Sequence, residues 1–181
     1  DTPGVSASVA DEASGLGQAI AECMDTMLRV EVPTVAVIVG EGNSEAAVAM
    51  AVADRVLMLD NAVYEVIRPE DAARIIYQEE SRADEIAERL RITSHDCLRL
   101  GVVDDLVPEP EEGAHADHDE TAQLLRRSLL QALTHVQKQR RKRLLSQRKE
   151  RYRNIGSTHS WLRGTMERRT AHALDRMGGA I

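Results

Sequence analysis

The fold is decided by residues 33–60, PTVAVIVGEGNSEAAVAMAVADRVLMLD. Pro33–Val39 are small or β-branched and too apolar for a half-exposed strand, which predicts a strand that is buried on both faces. Gly40 and Gly42 are expected to let the backbone turn sharply after it. Ser44 is predicted to cap the helix Glu45–Ala53 by accepting a hydrogen bond from its first free amides.

The predicted turn would bring the amino end of a helix next to the end of a strand. Backbone N–H groups in that position suit a phosphate or a developing oxyanion. The alternative is a tight strand-to-helix turn without chemistry, and a short motif taken alone favours this alternative. The rest of the chain has to decide between the two.

Four motifs lie in order along the chain: DTPG at 1–4, VGEGNS at 39–44, VIRPEDAARIIY at 66–77 and VVDDLVPEPEEGAH at 102–115. Their order and spacing closely resemble the carboxyltransferase alpha subunit of bacterial acetyl-CoA carboxylase, a member of the crotonase superfamily. PEPEEGAH is the most specific piece, because related acyl-CoA enzymes do not usually carry it. The resemblance covers about residues 1–155 and ends with RKERYRNIG. It implies an α/β fold, the later half of a crotonase-like β-β-α superhelix, followed by a long C-terminal helical segment.

Three regions are predicted: a carboxyltransferase core at 1–115, a long basic helix at 116–156 and a C-terminal extension at 157–181. Helix and strand patterns alternate in the first region, which indicates mostly parallel strands. Its predicted elements are helices at 12–30, 45–53, 70–77, 81–90 and 93–100 and strands at 33–39, 55–59, 63–67 and 102–107. Pro108–Gly113 is interpreted as a rigid charged linker. One continuous helix is predicted from His118 to about Ile155, and Trp161, Leu162, Met166 and Leu174 suggest a last short helix.

Composition bounds the kind of protein. Hydrophobic residues make up 43% of the 181 residues and aromatic residues 2%, so the core is expected to be aliphatic. Cys23 and Cys97 are interpreted as small buried hydrophobic residues rather than a disulfide. His115 and His118, with the aspartates beside them, resemble metal ligands only superficially, and no metal is expected in this chain.

The location and completeness of the chain are also expectations. No stretch approaches the roughly 20 apolar residues of a membrane span, and the protein is interpreted as cytoplasmic. The chain begins at Asp1 without methionine, and family members carry a comparable length upstream. We therefore expect a fragment, a processed chain or one piece of a longer polypeptide.

Charge is distributed unevenly along the chain. The net charge is −7, yet residues 138–153 hold nine basic side chains and one acidic side chain, Glu150. Such a run could bind nucleic acid or another polyanion, or it could dock on the acidic body or on a partner subunit. Docking is the favoured interpretation, because Tyr152 is the one aromatic residue there on which bases could stack.

The resemblance implies carboxyl transfer from carboxybiotin, held on a biotin carboxyl carrier protein, to acetyl-CoA, which gives malonyl-CoA. Loss of the carboxyl group leaves negative charge on the ureido oxygen of biotin, which needs preorganised donors. The resemblance assigns these donors to the backbone amides of Glu45 and Ala46. Binding residues at the same place would be Gly4, Gly40, Gly42, Asn43 and Ser44. A beta-type partner would supply the donors for the acetyl-CoA enolate, so a hetero-oligomer is expected.

Two departures from the family pattern lie around this place. The family pattern GEGGSGGA becomes GEGNSEAA, so Glu45 and Ala46 replace glycines and would crowd an approaching ring. The segment Val5–Ser8 replaces Ala-Tyr-Pro-Gly. Glu45 is interpreted either as a helix N-terminal charge or as a functional residue, and Glu41 either as a base or as a loop residue. The alternatives to an active subunit are a degenerate scaffold subunit that binds a beta-type partner and another crotonase-type acyl-CoA enzyme, such as a decarboxylase subunit.

Overall fold

The computed structural model describes residues 1–5 and 8–156 of the chain. The predicted helix around Trp161 and part of the segment Val5–Ser8 lie outside the described residues. The elements are α1 Val9–Ala13, α2 Leu16–Arg29, β1 Val35–Ile38, β2 Glu41–Asn43, α3 Ser44–Met50, β3 Arg55–Leu59, β4 Val63–Glu65, α4 Pro69–Tyr77, a 3-10 turn Glu80–Arg82, α5 Ala83–Leu90, α6 Ser94–Leu100, β5 Asp105–Val107, α7 His118–Gln137 and α8 Arg141–Asn154.

The strands form two small parallel sheets. One has the order β1-β3-β5, with Val35 opposite Arg55 and Leu57 opposite Asp105. The other pairs β2 with β4. The predicted α/β fold with parallel strands is therefore confirmed, and strand β2 is an element that the sequence reasoning did not predict.

The core lies around the central strand β3. Leu57, Met58 and Val107 are almost completely buried, and the side of α7 that carries Leu125, Leu129 and Ala132 packs against them. A parallel strand covered on both faces needs a continuous apolar run, and RVLML supplies it. The aliphatic core is confirmed. No helix in the described part of the chain has both the length and the apolar character needed to cross a membrane.

Two predicted helices are each interrupted. The helix expected at 12–30 is α1 and α2, separated at Ser14 and at Gly15, whose φ of +81° is left-handed. The single helix expected from His118 to Ile155 is also wrong, since α7 ends at Gln137 and α8 begins at Arg141. Val136 and Arg148 are both buried, and a straight helix would separate them by about 18 Å along its axis. The break lets α8 return to the body.

Arg148 holds α8 in place through a buried network. Its side chain is completely buried, and its Nε and Nη2 atoms donate to the two carboxylate oxygens of Asp54 at 2.8 and 2.6 Å. The same guanidinium donates at 2.6–3.0 Å to the carbonyl oxygens of Met27, Val30 and Val32. One side chain thus joins α8, the loop after α2 and the start of β3.

Arg151 and Tyr152 extend the contact. Arg151 Nη1 donates to both carboxylate oxygens of Asp104 at 2.6 and 2.7 Å. The Tyr152 hydroxyl accepts from the Ala53 N–H at 2.9 Å and donates to the Ala51 carbonyl at 2.8 Å. The prediction that the basic segment docks on the acidic body is confirmed for these residues. Other basic residues of the segment stay exposed: Lys138, Arg140, Arg141, Lys142, Arg143, Lys149 and Arg153.

Candidate functional site

Strand β2 lies between β4 and the first residues of the chain. The Thr2 N–H donates to the Glu41 carbonyl at 2.7 Å, and the Asn43 N–H donates to the Thr2 carbonyl at 3.2 Å. The Glu41 N–H donates to Asp1 Oδ1 at 2.8 Å. The DTPG and VGEGNS motifs, which are about 40 residues apart in sequence, are thus brought together.

The backbone bends at Gly40, as the sequence predicts, but not at Gly42. Gly40 and Gly42 have no left-handed φ, and Gly42 lies inside β2. A Cβ on Gly42 would lie 2.9 Å from Tyr64 Cδ2 and 3.3 Å from Ile38 Cγ2. Glycine is needed at position 42 because Tyr64 and Ile38 approach the backbone so closely. Gly4 is different, because its φ is +91° and a Cβ would lie 3.3 Å from Asn43 Cβ.

The prediction that Ser44 caps the helix is wrong. Ser44 is the first residue of α3, and its Oγ accepts from the Val5 N–H at 2.9 Å. Its φ of +60° places a residue with a Cβ in the left-handed region, which is uncommon and strained. Asn43 occupies the N-cap position and makes no side-chain cap. The hydroxyl therefore ties the DTPG segment to the β2–α3 turn, residues 43–46.

The amides of Glu45 and Ala46 lie in the first turn of α3. Helix amides in the first turn have no partner within the helix, and no side chain caps this end. Glu45 is exposed and Ala46 is half-buried. The carboxylate of Glu45 is favourable at a helix amino end. The arrangement can offer backbone donors to an oxyanion that approaches the turn.

A test of the close approach at Gly42 uses two alanine substitutions. Gly42→Ala is expected to lower the free energy of unfolding by about 1–3 kcal/mol, because the new Cβ overlaps Tyr64 and Ile38. Gly17→Ala is the matched control, since it lies within α2 and a Cβ there meets nothing within 4 Å. It is expected to raise stability by about 0.5–1 kcal/mol. Urea unfolding of both variants measures the difference, and equal effects would contradict the packing argument.

A polar cluster lies beside the turn on the β2–β4 sheet. Asn43 is 3% exposed and lies opposite Glu65 in the strand register. Asn43 Nδ2 donates to Glu41 Oε2 at 3.2 Å, while Asn43 Oδ1 is buried with no hydrogen-bond partner. Burial raises the pKa of Glu65, and the charges of Glu70 and Glu41 add to this effect. Sequence reasoning missed Glu65, although an acid inside an otherwise apolar predicted strand was a signal.

Other candidate groups do not form a nucleophile. Ser94 Oγ lies 3.3 Å from His95 Nδ1, and the same ring nitrogen lies 3.7 Å from Asp60 Oδ1. Ser94 Oγ and Asp60 Oδ1 both approach His95 Nδ1, so the ring cannot relay a proton from one to the other. The buried Ser94 hydroxyl instead donates to the Asp60 carbonyl. Burial raises the pKa of the Cys97 thiol to about 11, which keeps it protonated. Within residues 1–5 and 8–156, no group of three or more His, Cys, Asp or Glu side chains could hold a metal ion.

The PEPEEGAH segment is held against the core. Glu109 accepts hydrogen bonds from the Asn61 N–H at 2.7 Å and the Ala114 N–H at 2.8 Å. Burial opposes its ionisation, but these hydrogen bonds outweigh burial and lower the pKa of Glu109. The carboxylate thereby fixes the segment to the turn between β3 and β4.

Comparison with known sequences assigns the family. The profile of proteins described as acetyl co-enzyme A carboxylase carboxyltransferase-like matches residues 1–156. The chain belongs to this family. An acetyl-coenzyme A carboxylase carboxyl transferase subunit alpha from Sorangium cellulosum is 45% identical over 157 residues, which are 87% of this chain and 50% of that relative. A fused beta/alpha protein from Saccharopolyspora erythraea is 44% identical over 156 residues, 86% of this chain and 28% of its own length.

Solved structures show that this carboxyltransferase-like chain has a crotonase-type fold. A Pseudomonas malonate decarboxylase hetero-tetramer in complex with coenzyme A matches with a TM-score of 0.66 at 21% identity, covering 98% of this chain and 65% of that chain. Transcarboxylase 12S matches with a TM-score of 0.62 at 25% identity, covering 77% of this chain and 27% of that chain. The expected fold is confirmed. The chain spans about half the length of the curated alpha-subunit relatives named first.

Proposed function

We propose that this chain is an alpha-type subunit of acetyl-CoA carboxylase carboxyltransferase, which transfers carboxyl from carboxybiotin to acetyl-CoA to give malonyl-CoA. One observation carries the proposal: relatives at 41–45% identity over 157 residues are named as alpha subunits of this enzyme. The uncapped first turn of α3 supports it with a place for an oxyanion. The reaction is the first step of fatty acid synthesis, which we place in the cytoplasm.

The backbone amides of Glu45 and Ala46 are the donors in this proposal. When the carboxyl group leaves the biotin nitrogen as carbon dioxide, the bonding electrons stay on the ureido group and its oxygen becomes negative. A preorganised donor at such an oxygen lowers the activation free energy by about 3–4 kcal/mol. The hydrogen bond from the Val5 N–H to Ser44 Oγ holds the β2–α3 turn in position before the substrate arrives.

The remaining proposed binding residues shape the approach to these amides. Gly4 and Gly42 allow three segments of backbone to lie close together, and Asn43 and Ser44 join the DTPG segment to the turn. A Cβ on Gly40 would lie 3.0 Å from Asp1 Oδ1, which bonds the neighbouring amide. These contacts make the turn rigid, as preorganised donors require.

Partners follow from the same proposal. The fused beta/alpha relatives support a beta-type partner, which would present the acetyl group of acetyl-CoA and stabilise its enolate. A biotin carboxyl carrier protein would deliver carboxybiotin. The scaffold and decarboxylase alternatives are not favoured, because relatives at 41–45% identity carry carboxyl transferase names and the 21% likeness to malonate decarboxylase concerns the fold alone.

The test is carboxyl transfer in reverse, from malonyl-CoA to free biotin, with this chain mixed with its beta-type partner. We expect formation of acetyl-CoA that depends on biotin and exceeds the rate of the partner alone. A stable complex without transfer would contradict the proposal and support the scaffold alternative. No complex at all would also contradict it, since the chain would then lack what the partner recognises.

Crowding by Glu45 and Ala46 is tested by restoring the family glycines. The double substitution Glu45→Gly and Ala46→Gly is expected to speed transfer to free biotin, because both Cβ atoms leave the first turn. Each glycine lowers helix stability by about 1 kcal/mol, so unfolding is measured in parallel. Unchanged transfer by an active, folded complex would show that the two side chains do not crowd the site.

A further inference from the structure

Of the two polar atoms of the Asn43 side-chain amide, Nδ2 has a hydrogen-bond partner among the described residues and Oδ1 has none. Its Nδ2 donates to Glu41 Oε2, which fixes the orientation of the amide and points Oδ1 away from Glu41. Oδ1 is buried and accepts no hydrogen bond from any described residue. Buried polar atoms in proteins are nearly always hydrogen-bonded, so a donor for this oxygen has to be found among its neighbours.

Glu65 is in the right place to supply that donor. It is the register partner of Asn43 on the neighbouring parallel strand, and such partners lie about 4.8 Å apart with their side chains on the same face. Glu65 is 9% exposed. An ionised carboxylate only accepts hydrogen bonds, whereas a neutral carboxylic acid has one O–H to donate.

The surroundings of Glu65 favour its neutral form. Burial acts first, and two carboxylates add to it: Glu41 on β2 and Glu70 in the first turn of α4. Arg68 opposes them, but its guanidinium Nε also lies 3.7 Å from Glu70 Oε2. The balance of these groups raises the pKa of Glu65.

We propose that Glu65 is a positioning residue that, as a neutral acid, donates its O–H to Asn43 Oδ1. Asn43 Nδ2 donates in turn to Glu41, so a chain of hydrogen bonds runs from Glu65 through Asn43 to Glu41. This series of hydrogen bonds fixes Asn43, which directly precedes Ser44 and the amides of Glu45 and Ala46. Its proton dependence gives the turn a sensitivity to pH that the backbone contacts alone would not have.

The sign of the pH effect follows from the direction of the shift. Because the pKa of Glu65 is raised in the folded chain, its contribution to stability is complete below the unfolded-state pKa, about 4.3, and is lost as the pH rises through the folded-state pKa. Above that pH the carboxylate and Asn43 Oδ1 are both acceptors, so the hydrogen-bond chain opens. The turn is then less well fixed.

The first experiment measures the protonation of the Glu65 carboxyl group directly. Carbon-detected NMR titration of the Glu65 carboxyl group in the 181-residue chain is expected to give a pKa above the ordinary glutamate value, and Glu70→Gln is expected to lower it. Glu65→Gln keeps a permanent donor, so its unfolding free energy is expected to fall less with rising pH than that of the parent. An ordinary pKa for Glu65, or the same pH dependence in the parent and Glu65→Gln, would overturn the proposal.

Activity provides a second measurement, and this part rests on the proposed function. In the complex with the beta-type partner, Glu65→Gln is expected to retain transfer as the pH rises through the pKa of Glu65, where the parent loses it. An identical decline of transfer with rising pH in both would refute the positioning role even if the pKa is raised. Absence of transfer in the parent would contradict the proposed function instead, and the titration would still decide whether Glu65 and Asn43 share a proton.

Discussion

Replacing Arg148 with methionine is expected to lower the free energy of unfolding by about 3–5 kcal/mol, because it leaves the Asp54 carboxylate buried without its cation. Among the described residues, the N–H and hydroxyl of Thr34, at 2.8 and 3.0 Å, would remain as donors to the Asp54 carboxylate. The carbonyl groups of Met27, Val30 and Val32 lose their donors at the same time. Urea unfolding followed by circular dichroism measures the loss.

The control for this prediction lies on the same helix. Arg153 is exposed, and Arg153→Met is expected to change stability by less than about 0.5 kcal/mol. The double variant Arg148→Met with Asp54→Asn is expected to recover part of the loss, since the unpaired charge is removed. A change below about 1 kcal/mol for Arg148→Met would contradict the idea that this guanidinium holds α8 to the body.

Replacing Ala46 with proline is expected to reduce carboxyl transfer by about 10²–10³-fold, if the Ala46 amide is a donor to the ureido oxygen. Proline removes that N–H, and it is tolerated in the first turn of a helix because the amide there has no partner within the helix. The effect should appear in kcat more than in KM, since the charge develops during the reaction. Transfer from malonyl-CoA to biotin by the complex with the beta-type partner is the measurement.

Ala46→Gly separates the donor from the side chain. It keeps the N–H that proline lacks and removes the Cβ that alanine and proline both carry, so transfer is expected to stay at or above the parent rate. The complex formed by each variant is compared by gel filtration, and its unfolding midpoint is recorded. Full transfer by a folded Ala46→Pro complex would remove the Ala46 amide from the site and leave the Glu45 amide as the remaining candidate.

Local patterns predicted the strands other than β2 and most of the helices. RVLML at 55–59 reads as a strand because its apolar run is continuous, and β3 has those bounds. Pro69 begins α4, as its preference for the first position of a helix favours. The helix predicted at 93–100 begins one residue later, with Thr93 as its N-cap and Gly101 as its C-cap, and these preferences act within one turn of helix. The crotonase-type arrangement came from the resemblance, since no local rule specifies how two small sheets are placed.

The errors arise where a distant residue decides a local structure. Ser44 has the chemistry of a helix cap, but the Val5 N–H, 39 positions away, takes its hydroxyl. Gly42 resembles a turn residue in the sequence. In the structure, glycine is needed at this position because the ring of Tyr64, on strand β4, lies against it. The break before Arg141 is invisible in a helical pattern, because it depends on what Arg148 meets in the folded chain.

The Arg148 network also has a consequence for how the chain folds as it is made. Arg148 follows Asp54 by 94 positions, so at a synthesis rate of about 5–20 residues per second it leaves the ribosome roughly 5–20 s after its partner. During that time the nascent chain carries β1 and β3 with an unneutralised aspartate between them. The part of the body that depends on this ion pair can therefore be completed only after α8 has emerged.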